Sequence, residues 1–301
     1  MLPSYLEELS FIELKERAEE LKALMLECRL CPNSCGANRL EDETGLCSSS
    51  DAVKISSFGP HFGEESPLVG INGSGTIFFT NCNLSCVFCQ NYDISQLGVG
   101  REISIEDLAR LMLRLQNQGC HNINFVTPTH FTPQIVESLA LAVDKGLEIP
   151  LVYNCGGYES TETLRLLDNI FDIYMPDIKY SEELAAESYS GVKDYWAVVK
   201  KALKEMYMQV GDLKTSRSGI AQRGLLIRHL VLPHSIAGSK KVIDFIAEEI
   251  SENAYLNIMD QYHPAFKASE YKELNRYTSE EEYLAVVAYA KSKGLSRGFY
   301  A

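Results

Sequence analysis

Short apolar runs alternate with amphipathic stretches over most of this chain. Six runs have the length and composition of buried strands: 75–80, 122–127, 150–154, 170–178, 223–232 and 255–260. Six stretches show helical spacing of apolar residues: 104–118, 132–145, 160–168, 193–209, 236–251 and 279–293. Strands and helices that alternate in this way predict parallel β/α units.

The ends of these stretches carry helix-start signals. Ser104, Thr132, Ser160 and Ser279 stand where a hydroxyl would accept a hydrogen bond from a free backbone N–H, so we expect them to be N-caps. Outside the alternating region, the spacing predicts an amphipathic helix over 6–26, a strand over 53–58 and an edge strand over 297–300.

Together these elements predict an α/β fold with two parts. Residues 75–301 would form a partial (β/α)6 barrel of the TIM type. Residues 1–74 would form an N-terminal cysteine-rich, metal-binding extension made of one helix, a four-cysteine segment and a polar linker. His61 and Glu64 lie in this linker; they could face the site in the barrel, but we favour a solvated or hydrogen-bonded role for both.

Composition narrows the possible functions. The 301 residues include 28 basic and 41 acidic side chains, and the net charge of −13 would repel a phosphate backbone, so no nucleic-acid partner is expected. No run of 18 apolar residues and no signal-peptide pattern is present, so we expect a cytoplasmic protein without a membrane partner. Under reducing conditions the nine cysteines are better suited to metals than to disulfides.

A cysteine triplet follows the first apolar run of the barrel. Cys82, Cys86 and Cys89 have the spacing C-x3-C-x2-C directly after residues 75–80. Three thiolates can hold three corners of an iron–sulfur cluster and leave one iron open to bind another molecule. The alternative is a structural zinc site with a distant fourth ligand, although zinc sites usually take their ligands as two close pairs.

Four earlier cysteines predict a second, closed site. Cys28, Cys31 and Cys35 lie close together, Cys47 follows, and Pro32 and Gly36 favour the tight turns that would bring their thiols to one place. Zinc and an auxiliary iron–sulfur cluster both accept four thiolates, and the sequence does not separate them. Four unligated thiols are the remaining alternative.

Polar side chains stand at the carboxyl ends of the predicted strands, where parallel β/α folds bind ligands. Asp177 and Lys179 are two apart on an extended chain and therefore face the same side, so they suit a zwitterionic ligand. Arg228 on the fifth strand suits a carboxylate. The remaining candidates at strand ends are Thr127, Thr129, His130, Asn154 and His263; for His130, a histidine bound to backbone is an equal alternative, and for His263 a structural role is. We interpret Cys120 and Cys155 as buried thiols.

The triplet spacing, with Phe88 before its last cysteine, closely resembles the radical S-adenosylmethionine (AdoMet) superfamily. The segment Met175-Pro176-Asp177-Ile178-Lys179 is similar to the Met-x-Asp-x-Lys segment of pyruvate formate-lyase activating enzymes. The ends of the third, fifth and sixth strands, with Asn154, Arg228 and His263, also resemble these activases. With its N-terminal cysteines, the whole chain resembles the activase-like branch related to them.

The resemblance implies a set of cofactor contacts. Cys82, Cys86 and Cys89 would hold a 4Fe-4S cluster whose open iron chelates AdoMet, and Phe88 would border the adenine. Lys179 would contact AdoMet, and Asp177 would order that site together with a bound monovalent cation. Residues 127–130 depart from the family, because many members carry a Gly-Gly-Glu turn there that holds the methionyl amino group.

The implied activity is that of a radical AdoMet oxidoreductase. An electron donor such as flavodoxin or ferredoxin would reduce the cluster, AdoMet would be cleaved, and the 5′-deoxyadenosyl radical would take hydrogen from a protein or peptide, in the most specific case as a glycyl radical enzyme activase. The alternatives are a radical enzyme that acts on a small molecule, an iron–sulfur electron carrier or scaffold, and a zinc-stabilised binding protein.

Overall fold

The structure, a computed structural model, describes residues 2–299. Over these residues nine strands, numbered in chain order, form one connected sheet: β1 Val53–His61, β2 Ser74–Phe79, β3 Arg101–Ile103, β4 Ile123–Val126, β5 Leu151–Cys155, β6 Ile173–Ile178, β7 Lys214–Thr215, β8 Ala221–Leu230 and β9 Tyr255–Met259. The same residues form eleven α-helices: α1 Ser4–Glu7, α2 Phe11–Ala23, α3 Ser66–Val69, α4 Tyr92–Ser95, α5 Ile105–Asn117, α6 Thr132–Asp144, α7 Thr161–Leu166, α8 Glu183–Ser190, α9 Tyr195–Val210, α10 Ser239–Phe245 and α11 Glu280–Ser292.

The six strands predicted from the apolar runs form the centre of the sheet. β2, β4, β5, β6, β8 and β9 pair in chain order, and every one of these pairings is parallel. Helices connect them, as βαβ crossovers require. The α/β prediction is therefore confirmed, and the arrangement is consistent with a partial barrel of the TIM type.

Three antiparallel strands make the sheet mixed. β1 pairs with β2, and β3 pairs with the outer side of β1. The strand predicted over 53–58 thus continues to His61 and belongs to the same sheet as the barrel strands. β3 and β7 were missed because each has at most three residues and neither is buried, so neither leaves an apolar run in the sequence.

Helix starts follow the predicted caps at three of four positions. The hydroxyls of Ser104, Ser160 and Ser279 accept hydrogen bonds from the third residue of the helix that each precedes. The cap predicted at Thr132 is wrong: Thr132 is the first residue of α6, and its hydroxyl donates to the Thr129 carbonyl. The chain enters α6 directly from a 3-10 turn over Thr129–Phe131, so no extended cap residue is present.

The predicted helix over 6–26 is interrupted. Ser10 adopts an extended conformation and forms a capping box with Glu13, so α2 begins at Phe11 and α1 is a separate turn. α8 was not predicted, and its residues become important at the triplet. The predicted helix over 236–251 is α10 followed by a π-helical turn over Ile246–Ile250.

The N-terminal segment packs into the same hydrophobic core as the barrel. Tyr5, Leu14 and Leu21 are fully buried in a cluster that also contains barrel residues such as Phe125 and Tyr153. The Ser4 amide and hydroxyl donate to one carboxylate oxygen of Asp172, just before β6. The predicted division of the chain into two domains at residue 75 remains a prediction. The pairing of β1 with β2 crosses this position, so the two predicted parts contribute strands to one sheet.

The carboxyl ends of the parallel strands lie at one edge of the sheet, so the loops after them meet there.

Near the C-terminus, the predicted edge strand over 297–300 is represented by a single parallel bridge between Tyr255 and Arg297. The last residue of this predicted strand lies outside the described residues. Within residues 2–299, every helix is too short or too polar to cross a membrane.

Candidate active site at the carboxyl ends of the strands

A cavity of about 360 Å³ lies at this edge and brings most of the predicted site residues together. Its lining includes nine of them: Cys82, Cys86, Phe88, Cys89, Thr127, Asn154, Asp177, Lys179 and Arg228. A volume of this size is at the lower end of the range of small-molecule sites. The triplet and the charged strand ends, which are far apart in sequence, therefore face one space.

The triplet loop follows β2 and is held by α8. The Ser85 amide donates to the Ser190 carbonyl at 3.0 Å, and the Val87 amide donates to the Tyr189 carbonyl at 2.8 Å. These two backbone bonds frame Cys86 and fix the loop against the end of the helix. This contact could not be predicted from the sequence, because residues 183–190 were not predicted to form a helix.

Each triplet sulfur has a hydrogen-bonding neighbour. Cys86 Sγ lies 3.0 Å from the Ser190 hydroxyl, and Cys89 Sγ lies 3.0 Å from the Ser95 hydroxyl. The Leu84 amide donates to Cys82 Sγ at 3.4 Å. Such donors stabilise thiolates and tune iron–sulfur clusters.

Burial keeps the free thiols of Cys82 and Cys86 protonated. Burial raises the pKa of Cys86 to about 11, although the Lys179 ammonium works against it. Burial and the neighbouring triplet thiols also raise the pKa of Cys82. Because metals bind thiolates, loading this loop would release protons.

Asp177 joins two cationic side chains. Its Oδ2 accepts from Lys179 Nζ at 2.8 Å, and its Oδ1 accepts from Arg228 Nε at 2.7 Å. The pairing register explains the second contact, since Asp177 on β6 lies opposite Arg228 on β8. Burial alone would raise the pKa of Asp177, but Arg228 and Lys179 outweigh it and hold the pKa at about 2.

Both oxygens of Asp177 are thus already bonded to cations. The monovalent cation expected beside Asp177 would have to compete with Lys179 and Arg228 for these oxygens, and it stays a prediction. Arg228 is also engaged elsewhere: its Nη2 donates to Asn154 Oδ1 at 2.9 Å, and its Nη1 lies 3.4 Å from Glu64. These hydrogen bonds use three of the five N–H donors of the Arg228 guanidinium, so fewer donors remain for a ligand carboxylate.

His61 and Glu64 line the cavity, which was the less favoured of the two positions expected for them, and Glu64 also has the expected hydrogen-bonded role because it accepts from Arg228 Nη1. β1 runs antiparallel to β2, so it carries the chain away from the carboxyl ends of the parallel strands and ends with His61 opposite Ser74, the first residue of β2. Burial raises the pKa of Glu64 to about 7, while Arg228 lowers it and Glu65 raises it. Glu64 is positioned by its contact with Arg228, and no periodic pattern after β1 in the sequence indicates this contact.

Three predicted contacts lie outside the cavity. Thr127, which does line the cavity, has a φ of 59°, and the turn at this residue takes the chain away from the site. Thr129 and His130 are consequently buried behind the wall, where His130 Nε2 lies 2.8 Å from the Thr80 carbonyl oxygen. His263 lies instead beside Gln90, with 3.3 Å between His263 Nδ1 and the Gln90 Nε2 atom. The expected direct contacts of Thr129, His130 and His263 are therefore not supported by their positions.

Thr129 supports a buried carboxyl instead. Glu159 is 2% exposed and accepts hydrogen bonds from Thr129 Oγ1 at 2.8 Å and from the Tyr153 hydroxyl at 3.0 Å. Burial raises the pKa of Glu159 to about 7. Cys155 lies beside this carboxyl and is 3% exposed, as is Cys120, which confirms both as buried thiols.

The four N-terminal cysteines form a compact loop. Cys28, Cys31 and Cys47 are buried and Cys35 is exposed. Backbone bonds from the Cys28 amide to the Ala37 carbonyl and from the Gly36 amide to the Cys28 carbonyl close the turn. Within residues 2–299, no three His, Cys, Asp or Glu side chains are grouped to hold a single metal ion, and this applies equally to the triplet. A cluster that takes one thiolate at each of several irons does not require such convergence.

The four-cysteine loop contacts the triplet loop on both sides of Cys82. Asn33 Nδ2 donates to the Asn83 carbonyl at 2.8 Å. Asn81 Nδ2 donates to the Ser48 carbonyl at 2.9 Å. The two cysteine-bearing segments, separated by more than thirty residues in sequence, are therefore neighbours in the structure.

Comparison with known proteins decides the family. A family model described as the Radical SAM superfamily matches residues 76–211, which contain the triplet and the Asp177–Lys179 pair. The uncharacterized protein MJ0674 of Methanocaldococcus jannaschii is 33% identical over 276 residues, which cover 88% of this chain and 75% of that protein. This chain belongs to the radical SAM superfamily.

Two solved radical SAM structures show the same fold. Streptococcus suis SuiB bound to the precursor peptide SuiA matches with a TM-score of 0.50 and 14% identity over 73% of this chain and 46% of that one. HydG, a maturase of the FeFe-hydrogenase, matches with a TM-score of 0.50 and 12% identity over 97% of this chain and 64% of that one. The chain spans about half the length of SuiB and less than two thirds of HydG.

Membership in the radical SAM superfamily implies a 4Fe-4S cluster and AdoMet as cofactors. The residues present fit both groups. Three thiols with hydrogen-bonding neighbours stand at one side of the cavity, and a buried cation and anion stand at the other. The chain is accordingly a radical SAM enzyme, and its substrate is a separate question.

Proposed function

We propose that Cys82, Cys86 and Cys89 hold the 4Fe-4S cluster and that AdoMet binds between this triplet and the ion cluster of Asp177, Lys179 and Arg228. The observation that carries the proposal is that both sets of residues line one cavity. When bound, the cluster supplies the electron that cleaves AdoMet to methionine and a 5′-deoxyadenosyl radical, which takes hydrogen from the substrate.

The protein's own contribution is to bind and orient AdoMet. The Lys179 ammonium is available to the methionyl carboxylate, because it is held by one carboxylate oxygen at 2.8 Å and has two further donors. Arg228 stabilises this arrangement through Asp177, since it bonds the other oxygen of the same carboxylate. Asn154 restrains Arg228 and lines the cavity itself.

The apolar part of the cavity wall would limit access of water. Phe88 packs edge-to-face on Tyr180 and Tyr262, with ring centroids 6.2 and 5.7 Å away. Leu230 and Met259, from the last two parallel strands, line the same cavity. A reactive radical survives only where competing hydrogen donors are excluded, and a rigid aromatic and aliphatic wall serves that purpose.

We propose that the substrate is a protein or peptide and that, in the most specific case, this protein is a glycyl radical enzyme. Two observations support this choice. The segment 175–179 is similar to that of pyruvate formate-lyase activating enzymes, and the fold is similar to that of SuiB, whose structure contains a precursor peptide. An electron donor of the flavodoxin or ferredoxin type would reduce the cluster.

We also propose that Cys28, Cys31, Cys35 and Cys47 hold a second metal group, zinc or an auxiliary iron–sulfur cluster, of which the cluster fits the spacing of the thiols better because it does not require them to converge on one ion. The support is that three of the four thiols are buried and that the loop is in contact with the triplet loop. A buried set of thiols in a short loop is ordered most readily by a bound metal.

Deuterium transfer tests the substrate proposal. Native host cells grown on deuterated nutrients supply an extract that is separated into protein, peptide and small-molecule fractions. Each fraction is incubated with the reduced, AdoMet-loaded enzyme, and deuterium in 5′-deoxyadenosine is measured by mass spectrometry. We expect deuterium from the protein or peptide fraction. Transfer from the small-molecule fraction alone would contradict the proposal.

A further inference from the structure

Arg39 is a fully buried cation directly after the first three cysteines of the four-cysteine loop. It is 0% exposed, and its Nη2 donates to the Ser50 carbonyl at 2.7 Å. Its Nε and Nη1 atoms have no hydrogen-bond partner among the described residues. A guanidinium does not lose its proton in proteins, so the charge remains in this buried place.

No carboxylate compensates this charge. Over residues 2–299, no Asp or Glu oxygen lies within 4.0 Å of the Arg39 guanidinium. The ring of Phe131 lies 6.0 Å away, and the adjacent His130 is neutral, because burial and the charge of Arg39 lower its pKa to about 3. A buried charge without an opposite charge is unfavourable, so the site is expected to acquire an anion.

The groups best placed to become that anion are the four thiols. The amides of Cys28 and Arg39 both donate to the Ala37 carbonyl, at 3.0 and 3.1 Å, so Arg39 lies beside the backbone of this cysteine. The Gly36 amide donates to the Cys28 carbonyl at 3.1 Å, and a Cβ at Gly45, two residues before Cys47, would collide with the Cys35 sulfur, so the cysteine-bearing turns lie in one neighbourhood. Four thiolates outweigh the charge of a divalent ion or of an iron–sulfur core, so either group would be anionic.

Arg39 also joins the two ends of the loop. Its amide donates to the Met25 carbonyl at 2.9 Å, three residues before Cys28. Its guanidinium donates to Ser50, three residues after Cys47. The residue that carries the uncompensated charge is therefore the residue that holds the cysteine segment closed.

We propose that Arg39 is the buried counter-cation of an anionic metal–thiolate group held by Cys28, Cys31, Cys35 and Cys47. This inference rests on the second metal site of the proposed function and adds the residue that makes an anionic group favourable there. Arg39 acts as a positioning residue, because its charge stabilises the thiolates and its backbone and side chain close the loop around them.

The proposal predicts opposite effects in the two states of the site. In the metal-free chain, Arg39→Met removes an uncompensated charge and retains the apolar stem, so thermal stability should not fall. In the loaded chain the same substitution removes the counter-charge, so metal retention should fall at least tenfold. Arg39→Lys keeps the charge and should retain most of the metal.

The experiment uses the full chain with Cys82, Cys86 and Cys89 replaced by alanine, so that metal reports only on the four-cysteine site. Arg39→Met, Arg39→Lys and the control Arg29→Met are compared in this background; Arg29 lies in the same loop but is 51% exposed. One arm is loaded with zinc and the other with iron and sulfide. Metal per chain, loss of metal to a chelator and melting temperature are measured in each.

We expect tenfold faster loss of metal in Arg39→Met, no change in Arg29→Met, and an unchanged or higher melting temperature of metal-free Arg39→Met. Equal destabilisation of both states with unchanged metal retention would overturn the proposal, because Arg39 would then be only a structural tie. If neither zinc nor iron and sulfide bound to the chain that retains Arg39, the proposal would also be overturned. AdoMet cleavage by the triplet would remain unaffected by either result.

Discussion

At the scale of single residues, the ion cluster of Asp177, Lys179 and Arg228 connects the sequence to the proposed chemistry. The i, i+2 spacing of Asp177 and Lys179 was enough to predict that both face one side. The contact with Arg228 depends on the register of β6 against β8, which no local pattern encodes. The sequence therefore identified these residues but not the fact that Arg228 is already bonded to protein groups.

Lys179→Met should weaken AdoMet binding by about ten- to a hundredfold, because a charge-assisted hydrogen bond contributes about 1.5–3 kcal/mol. Lys204→Met is the matched control, since Lys204 is an exposed lysine in an ion pair with Glu249. Equilibrium dialysis of cluster-loaded protein under anaerobic conditions measures both affinities. Equal affinities for Lys179→Met and wild type would exclude Lys179 from the binding site.

Glu159 makes stability depend on pH in a defined direction. Its pKa is raised from 4.5 to about 7 in the folded state, so the protonated carboxyl is favoured by folding. This stabilisation is fully present below pH 4.5 and is lost as the pH rises through about 7. Relative to Glu159→Gln, the wild-type free energy of unfolding should fall by up to about 3 kcal/mol over this window.

Urea denaturation of both proteins between pH 4.5 and pH 8 measures the difference. The comparison removes the contribution of Glu64, whose pKa is raised in the same direction and which both proteins retain. Parallel stability curves for wild type and Glu159→Gln would show that the buried carboxyl does not titrate as stated.

At the scale of elements, the strand ends decide which candidates enter the site. Apolar runs identified the six parallel strands, because buried strands in such sheets are continuously hydrophobic. The turns after them were less predictable. The positive φ of Thr127 directs Thr129 and His130 under the sheet, and a non-glycine residue in this conformation has no sequence signature.

Gly157 lies at the turn after β5, where backbones approach closely. Its φ is +76°, and a Cβ at this position would collide with the Asp177 carbonyl oxygen. Gly157→Ala should therefore displace the end of β6 and reduce AdoMet affinity at least tenfold. Gly146→Ala is the control, because Gly146 has a φ of +91° but no atom within 4 Å of an added Cβ.

Dialysis and thermal melting of the two glycine variants separate the effects. Both should lose some stability from backbone strain, about 1 kcal/mol each. Only Gly157→Ala should lose affinity for AdoMet. A similar loss of affinity in Gly146→Ala would mean that strain in general, and not the contact with Asp177, determines binding.

Asn81 links the triplet loop to the four-cysteine loop. Its φ of +67° is accessible to glycine, so Asn81→Gly removes the contacts with Ser48 and Ser49 without backbone strain. We expect faster amide hydrogen exchange over residues 45–51. The control is Asn169→Gly, at a φ of +63° on another side of the barrel. Unchanged exchange over 45–51 would show that the two loops are held together by other contacts.

At the scale of the whole molecule, the two cysteine-bearing segments and the barrel form one packed unit. The amphipathic pattern before residue 27 predicted a helix that covers the core, and the structure buries Leu14 and Leu21 of this segment in the same cluster as the barrel. The neighbourhood of the two cysteine sets could not be predicted, because it depends on side-chain amides in loops whose course has no periodic signal.

The central claim is that the triplet loop, and not the four-cysteine loop, carries the cluster that cleaves AdoMet. The most direct measurement is the yield of 5′-deoxyadenosine per chain after anaerobic reconstitution with iron and sulfide and reduction by dithionite. Three proteins are compared: wild type, a variant with alanine at Cys82, Cys86 and Cys89, and a variant with alanine at Cys28, Cys31, Cys35 and Cys47. Iron content and melting temperature are recorded for each.

Because dithionite reduces exposed clusters directly, the variant that keeps the triplet should still form 5′-deoxyadenosine, whereas the variant that lacks it should form none. The account would be contradicted if the wild type loaded its cluster but formed no product, or if product persisted without Cys82, Cys86 and Cys89.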